Sequence, residues 1–114
     1  MAHIVDIDSC EPYQWGAKSE GWRLLDRDGL SVIQERVPSG DRERRHFHTH
    51  ARQFFFILMG EAVIEIDGAR FALKSGQGIE VAPGTPHQFV NESQDDVSFL
   101  VISAPRSHGD RADV

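Results

Sequence analysis

The chain is poor in the residues that would staple or tether it from outside. One cysteine, Cys10, in 114 residues excludes an intrachain disulfide, so the fold must be held by its core, which fits a reducing compartment such as the cytoplasm. No apolar run approaches the roughly 18 residues of a membrane span, and the N-terminus carries acids and His3 rather than a basic stretch before an apolar one. Neither membrane insertion nor a secretory leader is expected. Only two lysines, Lys18 and Lys74, accompany ten scattered arginines, and the formal net charge is −6. That balance argues against nucleic acid and for a small-molecule ligand or a protein partner. Also missing is any sustained 3.6-residue apolar period, and with it any convincing amphipathic helix.

What is present reads as strand and turn. Residues 1–23 mix polar residues with Pro12, Tyr13, Trp15 and Trp22 without a period, which predicts an irregular arm whose aromatics cover a sheet edge. Leu30 to Val37 is rich in β-branched residues and stops at Pro38-Ser39-Gly40. The mixed charges of 41–45 predict a solvated approach to the histidines that begin at His46. Gln53 to Leu58 is almost continuously apolar, as expected of a strand buried on both faces. Asp67-Gly68 marks a hairpin, Pro83-Gly84-Thr85-Pro86 a rigid turn, and Pro105 the end of a strand over 97–102. Six to eight short strands about ten residues apart describe an all-β antiparallel sandwich or barrel spanning 30–103, with a polar tail over 104–114 that holds His108. At this length the chain makes one domain.

The chemistry concentrates between His46 and Gly60. In a strand, alternate side chains share a face, so His46, His48 and His50 would point one way. His87, just after the Pro-Gly-Thr-Pro turn, could bring a third imidazole to the His46–His48 pair. Three neutral nitrogens and an oxygen suit a first-row divalent metal that keeps positions open for water or substrate. Counting parity from an inward Gln53, Phe55 and Ile57 line the pocket, while Phe54, Phe56 and Leu58 face outward toward a second sheet or a partner subunit.

These residues resemble the cupins. The first cupin motif is matched by Gly40, five residues, His46-Phe47-His48, four residues, Gln53, six residues and Gly60. The second is matched by Gly76, Gly84, His87 and Asn91 in register, with its proline displaced by one to Pro83. The resemblance implies a small single-domain cupin: a double-stranded β-helix, or jelly-roll, barrel of antiparallel strands, often a homodimer. It also implies a metal site at His46, His48, Gln53 and His87, with Asn91 a structural turn residue. Gln53 stands where the family usually has glutamate, so the site loses one negative charge. That lowers metal affinity and favours zinc, nickel or manganese over redox-active iron. The expected function is binding or transforming a small oxygenated molecule, by dioxygenase-, isomerase- or decarboxylase-like chemistry, with His50 or Glu35 as candidate base. The alternative is a non-catalytic, small-molecule-binding or metal-free module.

Overall fold

A computed structural model describes residues 2–114. Eleven strands follow a single 3-10 turn, Ile7–Ser9: β1 Tyr13–Trp15, β2 Ser19–Arg27, β3 Leu30–Val37, β4 His46–His48, β5 Arg52–Met59, β6 Glu61–Ile66, β7 Ala69–Lys74, β8 Gly78–Val81, β9 His87–Val90, β10 Val97–Ala104 and β11 Arg111–Asp113. They form two antiparallel sheets, ordered β1-β2-β3-β10-β5-β8 and β11-β4-β9-β6-β7. The fold is all-β and of the jelly-roll type. The sheets face one another without closing into the continuous barrel expected from the sequence.

The expected turns are built as their residues demand. Asp67 (φ 51°) and Gly68 (φ 91°) take the two left-handed positions that a two-residue hairpin loop with right-handed strand twist requires, and β6 and β7 pair in register on either side. Gly60 (φ 92°) lies so close to its neighbour that a Cβ would come within 2.6 Å of the Asp96 carbonyl oxygen. No other residue fits there.

Strand β5 settles the parity question. Gln53, Phe55 and Ile57 are buried, whereas Phe54 and Leu58 are 40% and 41% exposed, so the strand is covered on one face rather than two. The inner face packs Phe55, Phe89 and Phe99 into one aromatic cluster, with the Phe89 and Phe99 rings stacked 4.0 Å apart. Ile57, Ile64, Val37 and Val97 complete this core. Asn91 is structural, as expected. Its Nδ2 donates to the carbonyls of Val37 and Asp95, and its Oδ1 accepts from the Ser93 amide.

Both chain ends differ from expectation. The predicted irregular arm contributes β1 and most of β2, which extend the larger sheet beyond β3. The predicted polar tail returns as β11 and pairs Arg111, Ala112 and Asp113 with His48, Phe47 and His46. Three-residue strands carry too little periodicity to be read from sequence. Their backbone pairing, rather than side-chain pattern, makes them strands.

Candidate metal centre and acid-lined cavity

The rim of the smaller sheet builds the site. β4 and β9 meet at one register position, His46 opposite His87, and the turn before β9 is fastened to β4 by the Gly84 amide donating to the His48 carbonyl at 2.6 Å. The rigid turn therefore delivers His87 beside the His-x-His pair. The His46 ring lies 4.4 Å from that of His87 and 5.0 Å from that of His48, centroid to centroid. One ring nitrogen from each of the three lies within 4.8 Å of the other two, so the three could hold one metal ion.

Two of the three rings are fixed through their other nitrogen. His46 Nδ1 and His87 Nδ1 sit 2.7 Å and 2.9 Å from the carbonyl oxygens of Arg44 and Thr85, each two residues earlier in the chain. A carbonyl accepts only from N–H, so both rings carry the proton on Nδ1 and turn a lone pair outward from Nε2. His87 Nε2 is buried without a partner. Burial drives His46 down to about 3 and His48 to about 4, and lowers His87 as well, so all three rings are neutral at physiological pH. Neutral imidazoles with unpaired lone pairs are what a divalent metal requires.

Gln53 fits the same group. Its Nε2 donates to Ser103 Oγ at 3.1 Å, which fixes the amide orientation, and its Oε1 is buried with no hydrogen-bond partner. An orphaned acceptor of this kind costs free energy unless something occupies it. The three imidazoles thus fit a metal ion, and Gln53, on the lining of the same cavity as His46 and His48, has an amide oxygen to offer.

His46, His48 and Gln53 open onto a cavity of about 240 Å³ between the sheets. Phe55 forms part of its wall, while Ile57 belongs to the packed core and does not line it. Glu35 on β3 lines the cavity. Burial raises its carboxyl to about 7, against the influence of Trp15, Tyr13, Arg111 and Arg23. The Trp15 indole is turned toward this carboxyl without completing a hydrogen bond of normal geometry.

His50 is not in the site. β4 ends at His48, the alternation lapses, and His50 lies exposed in the following turn with its amide bound by Asp110 Oδ2 at 2.9 Å. In its place the cavity gains groups that sequence reasoning passed over. Glu43, from the supposedly solvated run 41–45, turns inward to line the cavity, and its carboxyl accepts from the Phe89 amide at 3.0 Å. Burial, and then the nearby Glu35 charge, raise it to about 8. The tail adds Ser107, His108 and Arg111. Arg23 also lines the cavity, its guanidinium 4.3 Å above the Tyr13 ring.

A two-sheet jelly-roll with a three-histidine rim defines the class of this protein. The chain belongs to the cupin family: the model for the cupin domain matches residues 33–103. Among characterised and uncharacterised relatives, the uncharacterized protein MJ1618 of Methanocaldococcus jannaschii is 31% identical over 81 residues, covering 70% of this chain and 65% of that one. The polyketide synthase CurC of Streptomyces cyaneus is 24% identical over 77 residues, covering 68% of this chain and 47% of that one. The chain therefore spans 65% or less of the length of these two curated relatives. The solved polyketide cyclase RemF from Streptomyces resistomycificus superposes with a TM-score of 0.86 over all of this chain and 86% of that one, at 18% identity. At that identity the likeness concerns the fold.

Proposed function

We propose that this cupin holds one divalent metal ion through His46, His48, His87 and Gln53 and uses it to bind and transform a small oxygenated molecule. The observation that carries the reading is the cluster of three neutral imidazoles, with the buried, unpartnered Gln53 Oε1 lining the same cavity as His46 and His48. A bound metal would act as a Lewis acid toward a carbonyl or hydroxyl oxygen of the ligand. With a neutral amide in place of a carboxylate, the centre keeps a full 2+ charge, which favours zinc, nickel or manganese over iron redox chemistry. Phe55 and Trp15 give the cavity an apolar side for a ring or alkyl portion, and its size limits the ligand to a small molecule. The similarity to a polyketide synthase and a polyketide cyclase supports a carbonyl-bearing ligand.

The same reading includes a cytoplasmic homodimer, joined through the outward Phe54, Phe56 and Leu58 of β5. A solution mass twice 12.8 kDa is expected, and a mass of 12.8 kDa would contradict the dimer.

Elemental analysis of untagged protein, before and after loading with Zn, Ni, Mn or Fe(II), tests the metal. About one ion per chain is expected, falling to background in His48→Ala with the β-sheet circular dichroism intact. Background metal in the loaded wild type would refute the proposal.

A further inference from the structure

Two acidic side chains, Glu35 and Glu43, line the cavity together with His46 and His48. Glu35 points inward from β3 opposite Gly21 of β2 and Phe99 of β10. At Gly21 a Cβ would meet the Tyr13 ring at 2.4 Å, so the absent side chain makes room for the aromatic ring, and Arg23 covers that ring from the cavity side. Glu43 arrives from the loop before β4. Its backbone amide donates to the Phe89 carbonyl, its carbonyl accepts from Gln88 Nε2, and one carboxyl oxygen accepts from the Phe89 amide. That leaves the second oxygen free for the cavity.

The nearby cations are engaged elsewhere. Arg111 forms its ion pair with Asp113 and Arg23 stacks on Tyr13, so neither neutralises a glutamate by direct contact. The groups that bear on Glu35 are Tyr13, Trp15, Arg23 and Arg111, and those on Glu43 are Glu35, the Phe89 amide and Arg111. Two neighbouring carboxyls without an ion-pair partner resist ionising together.

We propose that Glu35 and Glu43, which line one cavity, are an acid–base pair that takes a proton from a carbon beside a ligand carbonyl and returns one to an adjacent atom of the same ligand. This rests on the reading that the cavity binds an oxygenated molecule at the histidine rim. The ligand class it selects is an α-hydroxycarbonyl compound, whose C–H bond is acidified by the neighbouring carbonyl. The step balances without an oxidant or co-reactant. The ionised carboxylate breaks the C–H bond, the electron pair moves into the new C=C bond of an enediol, and the protonated carboxyl supplies a proton to the former carbonyl oxygen. Return of a proton to the other carbon, with loss of the hydroxyl proton, completes an isomerisation. The pair ends in its starting state of protonation. Burial, and for Glu43 the neighbouring Glu35, raise both carboxyls to about 7 and about 8, so at neutral pH the pair has both an acceptor and a donor to offer.

The probe is 2-hydroxyacetophenone, which carries a ring, two adjacent oxygens and a slowly exchanging methylene. Zinc-loaded whole protein in D2O should wash deuterium into that methylene, followed by proton NMR, at least about a hundredfold faster than Glu35→Gln, Glu43→Gln or the double variant. Metal content should be the same in all four. A second readout is independent of zinc. In metal-free protein labelled at the glutamate carboxyl carbons, both resonances should titrate above the ordinary carboxylate range, and Glu35→Gln should lower the midpoint of Glu43, which ionises beside an already charged Glu35. Exchange by the double variant at the wild-type rate, no exchange by zinc-loaded wild type, or a Glu43 midpoint unmoved by Glu35→Gln would each overturn the pair. Protein that binds no zinc would refute the proposed function instead, and the carboxyl titration would then decide the pair alone.

Discussion

His46 and His87 face each other across the single register position that joins β4 to β9, and each holds its Nδ1 against the carbonyl of the residue two places before it. The same local geometry, built twice, turns two Nε2 lone pairs toward one point. Replacing either ring by alanine removes a ligand and leaves its carbonyl tether unanswered. His46→Ala and His87→Ala should each weaken zinc binding by more than about a hundredfold, the upper end of what loss of an outer-shell partner costs. Competition against a chromophoric chelator measures this.

Gln53→Glu should strengthen zinc binding about tenfold, since a carboxylate at the same place adds a negative charge to a neutral ligand set. Ser103 Oγ, which now accepts from Gln53 Nε2, can rotate to donate to the new oxygen. Gln53→Leu should weaken binding, because it removes the orphaned oxygen altogether. The same chelator competition ranks the three proteins.

The glutamate pair sets a pH dependence of stability. Both carboxyls are raised by burial from 4.5, to about 7 and about 8, so the folded protein holds protons that the unfolded chain has already lost. Their contribution is fully present below pH 4.5 and is lost as the pH rises through about 7 and about 8. Urea titrations should show the wild type losing on the order of a few kcal/mol across this interval, and the Glu35→Gln/Glu43→Gln protein losing much less.

The C-terminal tail is latched at Asp110, whose carboxylate accepts from the amides of His50 and Ala51 at 2.9 Å and 2.8 Å. Because this latch is close to solvent, Asp110→Ala should cost global stability only about 1 kcal/mol or less. Its local effect should be larger. Hydrogen exchange at Arg111–Asp113 should accelerate while β5 and β10 stay protected.

The packed half of the interior rests on the Phe89–Phe99 stack, both rings almost wholly buried. Phe99→Ala should destabilise the protein by about 3–5 kcal/mol, read from denaturant midpoints at constant m-value.

Much of this site was legible in the sequence because it depends on spacing. The intervals from Gly40 through His46, His48 and Gln53 to Gly60, and from Gly76 to Asn91, specify two hairpin regions, and alternation along β5 placed Gln53 and Phe55 inward. His50 shows where alternation stops being informative: the tail's Asp110 binds the 49–51 turn, and that contact lies 60 residues away in sequence. Glu43 was hidden in a run of charges because its direction is set by the Phe89 amide on another strand, not by its neighbours. Arg111 and Tyr13 were missed for the same reason. Three-residue strands at the chain ends acquire their place only from the strands they pair with.

The metal centre is tested most directly by X-ray absorption at the zinc edge of the loaded, untagged protein. The account predicts about one zinc per chain with three imidazole nitrogens and one oxygen at about 2.0–2.2 Å, and zinc at background in His48→Ala. A loaded wild type with less than about a tenth of a zinc per chain, or a His48→Ala protein that takes up a full zinc with the wild-type spectrum, would contradict it.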